Sequence, residues 1–311
     1  MLPAMKWLCW ASVALSLIAQ APVERPRLLG IAHLAVFVGN ATAAKGFYQD
    51  LLGFEESFAL SATPTSPART FVKINDQQWI ELVEGPTAGE GQLDHVALYT
   101  ADARRMRQYL ASRGVQVPDE VRPGPTGDLS FTVVDPDGHR LEFVEYQPGS
   151  RTGKDAGAHL PSTRVAGRAL HVGILVGELA RSTPFYAGVL GFEETWRGSA
   201  AKSETLSWVN MRVPDGTDYL EFMLYAEKPA PDRRGTAHHL CLLVPDAAKA
   251  VAELEARPGR KAYTRPIEIR TGINRKRQVN LFDPDGTRVE LMERDTVDGK
   301  PAPPSTRPPP R

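Results

Sequence analysis

The sequence is poor in cysteine and has no excess of charge of either sign. Only two of its 311 residues are cysteines, Cys9 and Cys241, which excludes a disulfide framework and a cysteine-based zinc cluster. Thirty-seven Lys and Arg balance 37 Asp and Glu, so neither a nucleic acid nor an anionic membrane is expected as a partner. Apolar residues make up 42%, which is ordinary globular usage. The length predicts about two domains.

A long hydrophobic run occurs near the N-terminus, between Trp7 and Ala19. It follows Lys6 and ends in the small-residue triplet Ala19-Gln20-Ala21, which together indicate an export signal over residues 1–21. We therefore expect a periplasmic or secreted protein that has no membrane contact after cleavage. The alternative is an uncleaved apolar anchor. Cleavage would remove Cys9 and leave Cys241 as a lone thiol.

Two segments lack the patterns of helix and strand. Residues 147–167 are rich in Gly, Ser, Thr and Lys and are interpreted as a linker. Residues 295–311 are dominated by proline, which cannot donate a backbone hydrogen bond, and are predicted to be a disordered tail. These assignments leave two similar domains, 28–146 and 168–294.

Internal repetition is the strongest organisational signal. The segment 46–56 (GFYQDLLGFEE) returns as 184–194 (PFYAGVLGFEE), and the turn Asp135-Pro-Asp-Gly138 returns at Asp283. Each quarter of the chain contains a short apolar strand, a helical stretch and about three antiparallel strands. The first strands are predicted at 31–38, 93–100, 169–176 and 239–244, and the closing strands at 79–84, 139–146, 218–225 and 287–293.

This order predicts an α+β fold of four βαβββ modules in two tandem halves. Each half is expected to form one curved mixed sheet, a cup, with the helices packed outside. Neighbouring modules joining their sheets is the simplest arrangement, whereas pairing of the first module with the fourth is the alternative.

Each module places one histidine on its first strand and one glutamate on its closing strand, about 50 residues apart. Side chains alternate across a strand, and the large apolar neighbours of each glutamate suit helix packing, so the glutamates should line the cup. By the same parity His238 faces the helices and its neighbour faces the cup. The predicted metal ligands are His33, Glu81, His95, Glu142, His171, Glu221, His239 and Glu290.

Imidazole nitrogens and carboxylate oxygens suit a divalent metal ion such as Zn, Ni, Mn or Fe. Two histidines and two glutamates would leave room for water or a bidentate substrate, as Lewis-acid catalysis requires. The alternative is a structural network of His–Glu salt links. Trp79 and Tyr219 should share the concave face, either as pocket walls or as sheet packing. The basic cluster Arg265, Arg270, Arg275, Lys276 and Arg277 is either an anion site or a solvated loop.

These segments resemble the vicinal oxygen chelate superfamily, which includes glyoxalase I, extradiol dioxygenases, fosfomycin-resistance proteins and bleomycin-binding proteins. The resemblance is carried by the segments 30–33, 47–54, 93–98 and 135–142 and by their second-half counterparts. It implies paired βαβββ modules and a metal held by first-strand His and closing-strand Glu. In the glyoxalase-like branch a ligand glutamate also moves a proton, which implies a catalytic role for Glu81, Glu142, Glu221 and Glu290.

The extradiol branch adds a non-ligand histidine and a tyrosine in its last module. Here Asn280, and Thr132 in the second module, stand where that pattern expects tyrosine, and no histidine lies between His239 and Glu290. The resemblance therefore favours a glyoxalase-like lyase or isomerase acting on a small vicinal-oxygen substrate. An extradiol-type dioxygenase and a non-catalytic small-molecule-binding protein are the alternatives. The expected partner is a small molecule, and the expected assembly is a monomer or homodimer.

Overall fold

The computed structural model describes residues 23–86 and 91–311, which form two tandem halves, each built on one eight-stranded mixed sheet. The predicted export signal, 1–21, lies outside the described residues. Within the part of the chain that the structure describes, no helix has both the length and the apolar character needed to cross a membrane.

The first half carries strands β1 to β8. They are β1 (Leu28–Val38), β2 (Glu55–Leu60), β3 (Arg69–Asn75), β4 (Gln78–Glu84), β5 (Leu93–Thr100), β6 (Arg122–Pro123), β7 (Leu129–Val134) and β8 (Arg140–Glu145). Their order across the sheet is β2-β3-β4-β1-β5-β8-β7-β6. Each first strand runs parallel to its own closing strand, while β1 and β5 are antiparallel neighbours. The first and second modules therefore share one sheet, and pairing of the first with the fourth module is excluded.

The second half repeats this topology. Its strands are β9 (Ala169–Val176), β10 (Glu193–Gly198), β11 (Trp208–Arg212), β12 (Tyr219–Leu224), β13 (His239–Val244), β14 (Ile269–Thr271), β15 (Lys276–Phe282) and β16 (Arg288–Thr296). Their order is β10-β11-β12-β9-β13-β16-β15-β14. The predicted α+β fold of four βαβββ modules in two halves is confirmed.

Short helices lie beside the two sheets. They are α1 (Ala41–Lys45), α2 (Ala103–Ser112), α3 (Arg151–Lys154), α4 (Leu179–Thr183) and α5 (Ala247–Glu255). Asn40, Asp102 and Asp246 cap α1, α2 and α5 by accepting from backbone amides of the first turn. Helices α1 and α4 each continue as one π-helical turn, Gly46–Leu51 and Pro184–Val189, which buries a Phe-Tyr pair against the sheets.

The linker and the tail differ in detail from their sequence interpretation. Within 147–167, Ser150 caps α3, and Asp155 accepts from the buried Lys73 with an Nζ–Oδ2 distance of 2.7 Å. Strand β16 runs two residues into the segment predicted as a tail. Residues 297–311 form no helix or strand, and the carbonyl of Pro308 accepts from the Leu206 amide at 2.6 Å. Proline removes donors but keeps its acceptor, so a proline-rich segment can still be hydrogen-bonded.

The two halves interlock by reciprocal contacts. The DPDG turn of the first half connects β7 to β8. Asp135 of this turn accepts a hydrogen bond from Tyr186 of the second half at 2.7 Å. The matching Asp283 accepts from Tyr48 of the first half at 3.2 Å. Because each half completes the other, the two cups are held in one body.

Candidate metal centres

Four predicted ligands of the first half meet in one cup and form the first quartet (His33, Glu81, His95, Glu142). They come from β1, β4, β5 and β8, the four central strands of the sheet. The Nε2 atoms of the two histidines are 2.9 Å apart. His33 Nε2 lies 3.2 Å from Glu81 Oε2 and 3.1 Å from Glu142 Oε2, and His95 Nε2 lies 3.6 and 3.2 Å from the same two oxygens.

These separations fit a divalent ion. Ligand bonds of about 2.0–2.2 Å at roughly right angles or wider put neighbouring donor atoms about 3 Å apart or slightly more. The chemistry of the donor set, two imidazoles and two carboxylates, suits a first-row transition metal ion. All four side chains are largely removed from water. A cation would compensate the buried carboxylates, which are otherwise costly.

Neighbouring side chains orient this quartet. His95 Nδ1 is 2.8 Å from the carboxylate of Asp94, which fixes the tautomer that leaves Nε2 as the inward acceptor when the ring is neutral. Arg140 donates to the other oxygen of Asp94 at 2.6 Å. Arg69 donates to Glu81 Oε1, so Oε2 is the oxygen of that residue that points at the histidines. These three partners form the second layer of the centre.

The charge state of the first quartet follows from its contacts. Burial opposes a charge on His95, but hydrogen bonds and attraction from Asp94 and Glu142 outweigh burial and raise the pKa of His95 to about 10. Burial likewise opposes ionised Glu142, whereas bonds from His33 and His95 hold its pKa well below the usual value. In the protein alone His95 and Glu142 are therefore an ion pair. A divalent ion would take the place of the histidine proton.

A cavity of about 190 Å³ opens onto the first quartet. Its apolar wall includes Phe71 and Trp79, and its polar wall includes Thr132 and Tyr146. The side chain of Glu142 is 19% exposed and that of Glu81 is 3% exposed. Glu142 is thus the carboxylate that a bound molecule in this cavity can reach.

The second quartet (His171, Glu221, His239, Glu290) is assembled from β9, β12, β13 and β16 in the same way. The two Nε2 atoms are 3.0 Å apart, and the four His–Glu distances range from 3.4 to 3.8 Å. The adjoining cavity is about 70 Å³. As predicted from strand parity, His239 rather than His238 belongs to this quartet.

An arginine changes the electrostatics of the second quartet. Arg288 Nη2 lies 2.8 Å from Nδ1 and 3.0 Å from Nε2 of His239. Burial and the Arg288 charge together lower the pKa of His239 to about 3. The two quartets therefore share their geometry but differ in the charge that faces them.

The other residues singled out from the sequence are the two concave-face aromatic residues and the basic cluster. Trp79 lines the first cavity, whereas Tyr219 stacks on His171 with ring centroids 4.6 Å apart. In the basic cluster, Arg270 pairs with Glu268 at 2.9 Å and Arg275 pairs with Asp298. These ion pairs favour the interpretation of that cluster as a solvated loop over its interpretation as an anion site.

Sequence reasoning missed the side chains that surround the ligands. Asp94 and His238 stand at the same repeat position, immediately before a ligand histidine, and Arg140 and Arg288 stand two residues before a ligand glutamate. Comparison of the two halves at these positions would have revealed both pairs.

Comparison with known proteins agrees with the fold and with its division into two similar halves. The family model described as the Glyoxalase/Bleomycin resistance protein/Dioxygenase superfamily matches residues 30–143 and 168–291. Glyoxalase I of Saccharomyces cerevisiae is 27% identical over 229 residues, which cover 67% of this chain and 65% of that protein. The match thus spans slightly less than two thirds of the yeast protein. An uncharacterised protein of Bacillus subtilis, YwbC, is 26% identical over 121 residues, 37% of this chain and 96% of its own length.

Solved structures share the fold at low sequence identity. An extradiol ring-cleaving dioxygenase from B. fuscum superposes with a TM-score of 0.65 at 18% identity, covering 91% of this chain and 76% of that one. The 2,3-dioxygenase LapB from Pseudomonas sp. KL28 gives a TM-score of 0.62 at 19% identity, covering 89% and 97%. These likenesses concern architecture alone.

Proposed function

We propose that this chain, which belongs to the Glyoxalase/Bleomycin resistance protein/Dioxygenase superfamily, is a metal-dependent lyase or isomerase of the glyoxalase-like kind. Its substrate would be a small molecule that carries two adjacent oxygen atoms. The observation that carries the proposal is the first quartet, in which the two imidazole nitrogens lie 2.9 Å apart and each lies within 3.6 Å of both carboxylates, beside a cavity. The similarity to yeast glyoxalase I supports the same class of chemistry.

The residues of the first cup have distinct proposed roles. A divalent ion held by the first quartet would polarise two substrate oxygens as a Lewis acid. Glu142, which reaches the cavity, takes a proton from the substrate carbon next to a carbonyl and returns it to the neighbouring carbon. Arg69 holds Glu81 in place through its outer oxygen. Phe71 and Trp79 shield the reacting atoms from water.

The cavity wall favours proton transfer over ring cleavage. Thr132 lies directly opposite Glu142 in the β7–β8 ladder, where the dioxygenase pattern expects tyrosine. Tyr146 also lines the cavity, but its hydroxyl donates to the Gln77 carbonyl at 2.9 Å. The predicted export signal would further place the enzyme away from cytosolic glutathione, so we propose a substrate that is not a glutathione adduct.

Hydrogen exchange at a substrate carbon tests this proposal directly. The chelator-treated protein would be reloaded with Ni²⁺, Zn²⁺, Mn²⁺ or Fe²⁺ and incubated in D₂O with small α-hydroxyketones and hemithioacetals. NMR should show deuterium entering the carbon next to the carbonyl only when metal is present. Glu142→Gln should bind metal but lose exchange by at least about 100-fold, the usual contribution of a general base. Glu84→Gln, an exposed change on the same strand as Glu81, is the matched control and should exchange normally.

Two results would contradict the proposal. Full exchange activity in the Glu142→Gln protein at normal metal content would exclude the proposed base. Oxygen consumption with catechols under Fe²⁺, without any exchange, would support the dioxygenase alternative instead.

A further inference from the structure

The arginine beside each cup has a different partner in the two halves. Arg140 and Arg288 occupy equivalent positions, two residues before a glutamate of the quartet, and Arg288 is paired with His239 across the parallel β13–β16 ladder. Arg140 donates to Asp94 at 2.6 Å and is about half exposed. Arg288 instead reaches into its cup and places Nη2 within 3.0 Å of both ring nitrogens of His239. The two arginines therefore differ in the side chain that they contact.

The residue before the ligand histidine explains the two arrangements. Asp94 offers a carboxylate that both anchors Arg140 and accepts from His95. Its counterpart is His238, whose ring packs against His139 of the first half with centroids 5.2 Å apart. Neither ring nitrogen of His238 has a hydrogen-bond partner among residues 23–86 and 91–311. Arg288 therefore has no carboxylate at this position.

Arg288 competes for the atom that a metal would use. His239 Nδ1 lies 2.8 Å from the Ala237 carbonyl, which can accept only if that nitrogen carries the proton. Nε2 is then the ring acceptor, and Arg288 Nη2, a donor only, lies 3.0 Å from it. The same Nη2 lies 2.8 Å from Nδ1, so the guanidinium lies against the ring and places its positive charge next to the nitrogen that a cation would need. A guanidinium cannot deprotonate to leave, so a divalent ion here would meet a fixed positive charge.

A second substitution shapes the same site. The position opposite the ligand histidine is Ala35 in the first half and Gly173 in the second. A Cβ at 173 would lie 2.0 Å from His239 Nδ1, so the ring occupies space that a methyl group fills in the first half. The ring of His239 is thereby allowed to settle beside Arg288.

We propose that the protein binds one divalent ion per chain, in the first quartet, and that Arg288 closes the second quartet to metal. This inference rests on the proposed function, because it assumes that the first quartet holds the metal. The second cup is then a structural centre without metal, in which the positive charge of the Arg288 guanidinium compensates Glu221 and Glu290.

Metal stoichiometry tests this division. The full chain would be stripped with chelator, titrated with Co²⁺ and analysed by equilibrium dialysis and mass spectrometry of the metal. The wild-type protein should bind one equivalent, H171A/H239A should keep it, and H33A/H95A should lose it. Arg288→Met should bind a second equivalent. The affinity of its second quartet for Co²⁺ should be at least about tenfold higher than that of the wild-type second quartet, because one repelling charge is removed. The matched control Arg294→Met, an exposed arginine on the same strand as Arg288, should still bind one equivalent. Arg288→Lys, which keeps the charge, should also bind one.

The triple variant H33A/H95A/R288M provides an independent check, because it should bind one equivalent in the second half alone. Circular dichroism would establish that each variant is folded. Two equivalents of similar affinity in the wild-type protein would overturn the inference while leaving the proposed function intact. A single equivalent that disappears in H171A/H239A would also overturn it. No uptake by the wild-type protein would contradict both the inference and the proposed function.

Discussion

Asp135 and Asp283 occupy the same turn position in the two halves, yet their carboxyl groups respond differently to their surroundings. His139 Nδ1 lies 2.9 Å from Asp135, and despite burial the histidine holds the pKa of that carboxyl below its usual value. In the second half Thr287 replaces this histidine. Burial then dominates and raises the pKa of Asp283 to about 6. The exchange of His139 for Thr287 thus accompanies opposite pKa shifts of the two carboxyl groups.

We expect the raised pKa of Asp283 to make stability fall as pH rises. The folded protein binds this proton more tightly than the unfolded chain does, so the contribution is present at low pH and is lost as pH rises through about 6. Asp283→Asn, which does not titrate, should therefore gain about 1 kcal/mol relative to wild type between pH 5 and pH 8. Urea unfolding at the two pH values measures the difference.

Asp135→Asn is the matched control for this comparison. Because the pKa of Asp135 is lowered, its carboxylate contributes stability above its unfolded pKa, and the variant should lose stability at pH 8. Parallel pH profiles of wild type and Asp283→Asn would contradict the expectation.

The sequence alone identified the residues that meet in both quartets but not the groups that surround them. Strand parity places His and Glu on the concave face because backbone alternation fixes the side of the sheet. The partner of a long side chain is not fixed in this way. Arg140 and Arg288 have the same position and spacing, and only the neighbouring Asp94 or His238 decides where the guanidinium turns.

At the scale of elements, the two π-helical turns end at glycines with a left-handed backbone. Gly53 has φ of 77° and Gly191 has φ of 80°. A Cβ at 53 would lie 2.7 Å from the Thr163 carbonyl oxygen, whereas at 191 its nearest neighbour would be the side chain of Arg25 at 3.2 Å. The same motif is thus tightly enclosed in the first half and open in the second.

Alanine substitution should separate these two glycines. Gly191→Ala should cost about 1 kcal/mol from backbone strain. Gly53→Ala should cost at least about 1 kcal/mol more, because the added methyl meets backbone that cannot rotate away. Thermal unfolding of both variants measures the difference, and Gly114→Ala, at a left-handed site with open space, controls for strain alone. Equal losses at 53 and 191 would show that the close contact relaxes freely.

Element boundaries were predictable where a cap or a periodic pattern marks them. The first strands predicted at 93–100, 169–176 and 239–244 have the same bounds in the structure, whereas the one predicted at 31–38 begins three residues earlier, at Leu28. Helix α3 and the contacts of residues 297–311 were not predicted. Both depend on tertiary partners, Lys73 and the β10–β11 region, that local composition does not encode.

At the scale of the whole molecule, a buried hydrogen-bond pair lies between the two halves. Asp218 accepts from the Ile31 amide at 3.0 Å, and its repeat counterpart Gln78 accepts from the Ala169 amide at 2.9 Å. Gln78 also donates to Asp218 at 3.2 Å. The first strand of each half is therefore anchored by a side chain of the other half.

Removal of this junction should weaken the coupling between halves. Asp218→Ala leaves the Ile31 amide and the Gln78 amide group buried with a lost acceptor, which should cost about 2–4 kcal/mol. Calorimetry should show a lower melting temperature and a broader transition than wild type. Asp218→Asn keeps an acceptor for Ile31 and should lose less. A melting curve for Asp218→Ala that coincides with wild type would show that the junction does not hold the halves together.

The reciprocal turns have a consequence for how such a chain can diversify. Asp137 accepts from the Gly177 amide at 2.9 Å, and Asp285 accepts from the Gly39 amide at 3.1 Å, so each half holds the segment that leads into a helix of the other. A lone half would need a second copy of itself to satisfy the same groups, and both copies would then change together at every position. Joined in one polypeptide, the two copies keep their mutual support while accumulating separate substitutions. Covalent fusion therefore allows the two cups to diverge in sequence while each half still supports the other.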